Sequence, residues 1–163
     1  DLLSRAITRL AYVAADATPR VVPIGFHWNG AEIVMCTAPN AAKVASLRRN
    51  PAAALSIDTE GHPPCMLLIR GDAEVDVVGG IPDEYLEAAS SYEMTTEQRS
   101  EWEAGVRALY DSMARIVVTP TWAKLIDFDE VLPSAVEELM ERKIASPDPA
   151  PSPRDIDAER TVS

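Results

Sequence analysis

The chain has little cysteine, little histidine and a deficit of positive charge. Its 163 residues include 2 Cys and 2 His, and 26 acidic residues against 15 basic ones give a net charge of -11. Such acidity argues against a duplex nucleic-acid partner, because phosphate contacts need clustered Lys and Arg. Cys36 and Cys65 fall in apolar segments, so two free thiols and a reducing cytoplasmic setting are expected, although a single bridge stays open.

Long apolar runs and the usual catalytic motifs are absent as well. No apolar run reaches about 18 residues, which argues against a membrane-spanning helix. The histidines and cysteines have no metal-ligand spacing, so no metal is expected. No Ser-His-Asp pairing, Cys-His pairing or phosphate-cradling glycine motif is present. With 47% hydrophobic and 25% charged residues, the composition is that of a soluble globular domain.

Short strand-like segments dominate the chain. The expected strands are residues 10–14, 20–28, 31–37, 52–58, 65–78, 115–119 and 122–128, and the expected helices are 2–9, 82–93, 95–113, 133–140 and a short one that Asn50-Pro51 ends. Asn29-Gly30 is a strong hairpin signal, and Pro23 marks an edge or a bulge. Six or seven strands with hairpin connections predict a mainly β (α+β) fold, a small antiparallel barrel with accessory helices.

The C-terminal part differs in composition from the rest. From residue 145 onward, Pro147, Pro149, Pro151 and Pro153 alternate with small, polar and charged residues. This pattern is typical of a disordered tail. We therefore expect one domain over residues 1–144 and a Pro-rich disordered tail over 145–163.

Lys43 is the leading candidate for a binding residue. It lies at the start of the short helix between strands 31–37 and 52–58. Free N–H groups and the positive end of the helix dipole favour an anion at such a position. An added ammonium makes sense if the anion is a phosphate, whereas the alternative is a solvated surface lysine.

The order of these segments resembles the FMN-binding split-barrel superfamily, which includes pyridoxamine 5′-phosphate oxidase and the flavin/deazaflavin oxidoreductases. The matching pieces are Arg20-Val-Val-Pro23, the Asn29-Gly30 hairpin, Thr37, Lys43 with Leu47-Arg-Arg-Asn-Pro51, Leu68–Val75 and Arg115–Phe128. They cover residues 5–135. The resemblance implies a split β-barrel that binds a flavin-type cofactor between the two subunits of a homodimer.

Carried over by position, the resemblance implies a set of cofactor-binding residues: Arg20, Val21, Val22, Pro23, Cys36, Thr37, Lys43 and Trp122. Gly25 departs from a lysine in the oxidase pattern, and Ala41 and Ala42 replace its Ser and Arg. The phosphate would then be held mainly by Lys43, Arg20 and backbone amides. Because the oxidase's substrate-facing arginines are missing from the strand at 65–71, oxidation of pyridoxamine phosphate is not expected.

The resemblance implies a flavin- or deazaflavin-dependent oxidoreductase that transfers a hydride or two electrons to a small molecule. FMN is the first expected cofactor and the deazaflavin coenzyme the second, since Arg48 and Arg49 suit the acidic tail of the latter. The alternative is a non-catalytic protein that binds or sequesters a cofactor such as haem, and a pure dimerisation domain is a third. Arg20 is equally well read as a solvated strand residue, and Trp122 as a core residue. No catalytic residue can be named.

Overall fold

The computed structural model describes residues 1–130 and 132–145. The strands are β1 (Ile7–Val13), β2 (Pro19–Gly25), β3 (His27–Trp28), β4 (Ile33–Thr37), β5 (Ala52–Asp58), β6 (Cys65–Gly79) and β7 (Ser112–Asp127). The helices are α1 (Ala42–Arg49), α2 (Asp83–Ala88), α3 (Thr96–Leu109) and α4 (Ser134–Ala145), with 3-10 turns at Leu2–Ser4 and Ala89–Ser91.

The seven strands form one antiparallel sheet in the order β2-β1-β5-β6-β7-β4-β3. The sheet curls around an apolar interior in which Leu10, Met35, Ile57 and Ile116 are fully buried. It is not closed, because β2 and β3 are its two ends. This architecture confirms the predicted α+β split barrel.

The turn and edge signals of the sequence are confirmed. β3 and β4 pair as a hairpin around Asn29-Gly30, with Gly30 at a φ of 99°, a backbone conformation that glycine adopts without steric cost. Pro23 lies on β2, at the edge of the sheet. A proline is tolerated there because its missing N–H faces no further strand.

The predicted helix over residues 2–9 is wrong. Only Leu2–Ser4 form a 3-10 turn, and residues from Ile7 onward belong to β1. Thr8 and Leu10 are fully buried while Ile7 and Arg9 are exposed. This alternation with a period of two is that of a strand with one buried face, and it overrides the helical spacing of the preceding leucines.

The predicted helix over residues 95–113 is too long at its C-terminal end. It begins as expected, with Thr95 and Gln98 forming a capping box, which satisfies free N–H groups of the first turn. It ends at Leu109, and Met113 already pairs with Val78 in the sheet. The apolar Met113 is buried as a strand residue, so its helical spacing from Leu109 is misleading.

The two strands expected on either side of Pro120 are one continuous strand, β7. Its pairing with β6 slips at one point: Gly71 faces Pro120, whereas Arg70 faces Trp122. Thr121 is therefore the extra residue of a β-bulge. Before the bulge the even-numbered residues of β7, such as Ile116, point into the barrel, and after it Trp122 points outward.

The chain divides into two compact units. The first spans Asp1–Phe128 and contains the sheet, and the second begins at Asp129 and contains α4. The expected domain boundary at residue 144 stays a prediction. The predicted disordered tail over 145–163 lies, apart from Ala145, outside the described residues. Across the described ranges, no helix is both long and apolar enough to cross a membrane.

Candidate functional site

Lys43 lies in the first turn of α1, directly beside the end of β4. Its Nζ atom is 3.3 Å from Oγ1 of Thr37, and its side chain is half-buried. Burial lowers the pKa of this amine, because desolvation disfavours its charged form. The predicted short helix is therefore present, and Lys43 contacts Thr37, the other residue of this segment that the resemblance implies in cofactor binding.

The N-terminus of α1 carries no side-chain cap. Ala41 is the N-cap residue and offers no side-chain acceptor, and the first turn contains no acidic residue. A helix start of this kind leaves backbone N–H groups available to an anion and places the positive dipole end beside it. A serine at position 41 could contact a phosphate, but it could also accept hydrogen bonds from these N–H groups. With alanine there, both possibilities are lost and the N–H groups have no side-chain acceptor.

Arg20 is engaged within the turn that joins β1 and β2. Its guanidinium donates to Asp16 over 3.0 Å and to the hydroxyl of Thr18. Hydrogen bonds from Thr18, together with the charge of Arg20, lower the pKa of Asp16. Both side chains of the ion pair are about half exposed, so the pair contributes little to stability. These contacts hold the guanidinium of Arg20 against the turn, and they use only part of its five N–H donors.

The other predicted residues of β2 point in alternate directions. Val22 packs against the barrel core, while Val21 and Pro23 face outward and are exposed. Because β2 is an edge strand, this segment could contact a flat ligand mainly through its unpaired backbone groups. The side chains of Val21, Val22 and Pro23 are apolar.

Trp122 belongs to a surface that we call the open face. It is the outward side of one rung of facing residues across five strands: Val21, Ala11, Ala54, Arg70 and Trp122. The guanidinium of Arg70 lies 4.3 Å from the ring centroid of Trp122, a cation–π contact. Val21 is 63% exposed and Trp122 is 38% exposed. Trp122 is thus a surface residue rather than a core residue.

Cys36 lies on the other side of the sheet from its neighbour Thr37. It is buried next to Val34 and Met113, and burial, followed by the nearby charge of Glu84, raises the pKa of its thiol to about 12. Such a thiol is neutral and unreactive at physiological pH. Cys36 also lines a cavity of about 440 Å³ beneath α2 and α3.

An ion pair that the sequence did not reveal fixes α2 to β7. Arg115 donates from Nε and Nη2 to Oε1 of Glu84, over 2.9 and 2.7 Å, and both side chains are 27% exposed. Burial raises the pKa of Glu84, but the hydrogen bonds from Arg115 and from the backbone, together with the charge of Arg115, outweigh burial and hold that pKa below its usual range. Only the strand register and the position of α2 bring these two residues together, so no local sequence signal could have found the pair.

The eight predicted site residues do not form one cluster. Thr37 and Lys43 lie together, Val21 and Trp122 share the open face, and Cys36 lines the cavity. Arg20 is engaged in the turn before β2, Val22 packs on the barrel core, and Pro23 is exposed. The assignment of all eight as cofactor-binding residues stays a prediction.

The family model described as pyridoxamine 5′-phosphate oxidase matches residues 2–125. The chain therefore belongs to the pyridoxamine 5′-phosphate oxidase family, and the predicted membership of the split-barrel superfamily is confirmed. No curated protein matches the sequence.

Solved structures with the same fold include an F420 reductase, 28% identical over 76% of this chain and 93% of that one, with a TM-score of 0.58. HupZ from Group A Streptococcus is 16% identical, covers 78% of this chain and 90% of its own, and has a TM-score of 0.54. A heme binding protein from Mycobacterium smegmatis is 17% identical over 76% of this chain and 49% of its own, with a TM-score of 0.52. The last two show similarity of fold alone.

Proposed function

We propose that this chain is an oxidoreductase that holds a flavin-type cofactor through a phosphate group at Lys43. The observation that carries the proposal is the half-buried ammonium of Lys43, 3.3 Å from the hydroxyl of Thr37, at an uncapped helix N-terminus. Desolvating a cation is unfavourable unless an anion compensates for it. A phosphate would supply that anion and accept hydrogen bonds from the ammonium, the hydroxyl and the first-turn amides.

Two cofactors are candidates for this site. FMN is the cofactor first expected from the resemblance, whereas the 28% identity to an F420 reductase favours the deazaflavin coenzyme. Arg48 and Arg49 are exposed at the other end of α1, where they donate to the carbonyl oxygens of Val75 and Ala14. Their charge favours a ligand with an acidic tail, which supports the deazaflavin.

The cofactor ring would supply the hydride or two-electron chemistry, so the protein needs only to bind and orient it. This role of the protein agrees with the apolar side chains of Val21, Val22 and Pro23 on β2. The substrate would be a small molecule that reaches the exposed face of the ring.

The open face supports the proposal of a homodimer. Val21 and Trp122 are exposed apolar residues on it, and they line a shallow groove of about 280 Å³. Contiguous exposed apolar surface of this kind is typical of interaction sites. A second copy covering this face would bury Trp122, so we propose that the protein is a homodimer; a cytoplasmic location is proposed with it.

Calorimetric titration with FMN and with the deazaflavin coenzyme tests this function. We expect one of the two to bind, and Lys43→Ala to weaken binding about tenfold or more, because a charged hydrogen bond to phosphate is lost. Lys143→Ala removes the same charge from α4 and serves as the control, for which no change is expected.

Binding of neither cofactor, or equal affinity in Lys43→Ala, would contradict the proposal. Binding of haem without either flavin would support the non-catalytic alternative instead.

A further inference from the structure

Three separate parts of the chain form a second cavity, which we call the Trp28 cavity. The N-terminal segment contributes Arg5, β3 contributes His27 and Trp28, and the end of α2 with the 3-10 turn after it contributes Glu87 and Ser90. The volume of the cavity is about 320 Å³. Ligand pockets usually measure about 300–1,000 Å³, so the Trp28 cavity has room for a small organic molecule.

The Trp28 cavity differs in its lining from the places described above. None of the eight predicted cofactor-binding residues lines it. Ala88 is the one residue that it shares with the cavity beside Cys36. A ligand in the Trp28 cavity would therefore contact side chains that the proposed flavin site does not use.

The buried part of the lining is apolar. Phe26 is 2% exposed and belongs to the barrel core, and Leu3 and Trp28 pack against that core while they line the cavity. Packing against a dense core holds such side chains in place. An apolar group placed here is therefore removed from water against a preformed surface.

Two opposite charges of the lining lack partners. The guanidinium of Arg5 and the carboxylate of Glu87 belong to exposed residues, and both residues line the cavity. Within the described residues, neither side chain forms an ion pair or a hydrogen bond. They do not pair with each other either, so the cavity keeps the two charges apart.

Most other polar groups of the lining are engaged within the chain. The carboxylate of Asp1 accepts a hydrogen bond from a backbone N–H, and the hydroxyls of Ser4 and Ser91 donate to backbone carbonyl oxygens. The two unpaired charges are therefore the strongest polar contacts that the lining offers, because hydrogen bonds with an ionised partner are the strong ones.

We propose that the Trp28 cavity binds a small zwitterion with an apolar side group, the chemical class of the free apolar amino acids. The carboxylate of the ligand would accept hydrogen bonds from Arg5, and its ammonium would donate to Glu87. Its side group would lie against Phe26 and Trp28. A molecule with only one of the two charges leaves one of these residues without a partner. This site goes beyond the proposed function and does not rest on a bound flavin.

The test compares three probes of closely similar shape by two-dimensional NMR titration at neutral pH: L-phenylalanine, phenethylamine and 3-phenylpropionate. We expect saturable binding of L-phenylalanine and an affinity about fivefold or more lower for each singly charged probe, because one charge-assisted hydrogen bond is missing. The indole N–H resonance of Trp28, assigned with Trp28→Phe, should shift on addition of L-phenylalanine. That of Trp102, which lines the other cavity, should not.

Two variants assign the charges. Arg5→Gln should weaken binding of L-phenylalanine about fivefold or more without weakening that of phenethylamine, and Glu87→Gln should do the same without weakening that of 3-phenylpropionate. Both side chains belong to exposed residues, so both variants should fold. Glu93→Gln removes one negative charge from an exposed residue outside the lining and is the matched control, for which no change is expected.

The absence of saturable L-phenylalanine binding would overturn the proposal, as would a singly charged probe that binds as tightly. A shift of the Trp102 resonance without one at Trp28 would overturn it too. So would wild-type affinity for L-phenylalanine in either Arg5→Gln or Glu87→Gln. These outcomes are separate from the flavin titration, because no predicted cofactor-binding residue is changed.

Discussion

The outer side of the sheet has two regions, one covered by helices and the other exposed. On β4 and the first half of β7, α2 covers Val34, Cys36 and Met113, and α3 packs on α2 through the Tyr85–Trp102 stack. On the second half of β7, Trp122 is exposed on the open face. The bulge at Thr121 separates the two regions, because it changes which residues of β7 point outward. The one inserted residue, Thr121, thus decides whether the side chain of Trp122 points into the core or lies on the surface.

The largest expected effect comes from adding a side-chain atom at Gly71, next to the bulge, where β6 and β7 are in close contact. A Cβ atom on Gly71 would lie 2.2 Å from the carbonyl oxygen of Thr119, a backbone atom that cannot move aside. We expect Gly71→Ala to lower the free energy of unfolding by about 3 kcal/mol or more, as strong overpacking does. Urea denaturation measures this change.

Gly79→Ala is the matched control, because no atom lies within 4 Å of its added Cβ. A Gly71→Ala protein as stable as Gly79→Ala would show that the two strands do not approach each other in this way.

The next effect concerns the ion pair that ties α2 to the covered region. Arg115–Glu84 and Arg107–Glu103 have the same two-bond geometry, but the first pair is 27% exposed at each residue and the second is 52% and 38% exposed. Arg115→Met should cost roughly 2 kcal/mol, because it leaves a half-buried carboxylate without a partner. Arg107→Met should cost only about 0.5 kcal/mol or less.

The pH dependence of stability distinguishes the two variants further. The pKa of Glu84 lies below its usual range, so its contribution is present above the ordinary carboxyl pKa and is lost as the pH falls through the lowered value. Thermal melts of Arg115→Met should therefore lose less stability on acidification than the wild type. Parallel pH profiles would contradict the role assigned to this pair.

Much of this comparison could be predicted from local sequence signals, and part of it could not. The Asn29-Gly30 hairpin, α1 with Lys43 and the edge position of Pro23 depend on residues close in the chain, so turn chemistry and periodicity sufficed. The bulge, the Glu84–Arg115 pair and the cavity depend on strand register and helix placement. Pro120 marked an irregularity, but it did not show that the strand continues through it.

The open face should govern self-association. Trp122→Ala removes an exposed aromatic anchor, and loss of such an anchor costs about 2 kcal/mol or more in interfaces. We expect a dissociation constant raised by about thirtyfold or more in sedimentation equilibrium. Leu109→Ala, an equally apolar truncation on α3 where Leu109 is 71% exposed, should leave it unchanged. The opposite ranking would place the interface on the helical side.

The smallest expected effect is a change in the pH dependence of cofactor affinity caused by Lys43. Because burial lowers the pKa of its amine, the protonated form that binds an anion is lost at a lower pH than for a solvated lysine. Cofactor affinity should be constant at neutral pH and fall as the pH rises through this lowered pKa. Lys43→Arg should bind without that fall, since a guanidinium stays charged. A wild-type affinity that remains flat to strongly alkaline pH would contradict the charge role.

The most direct test of the central claim is a crystal structure with FMN or the deazaflavin coenzyme bound. The account predicts that a phosphate oxygen lies about 3 Å from Nζ of Lys43, at hydrogen-bonding distance, and that it also accepts from the first-turn amides of α1. A bound cofactor whose phosphate contacts neither Lys43 nor the start of α1 would contradict it.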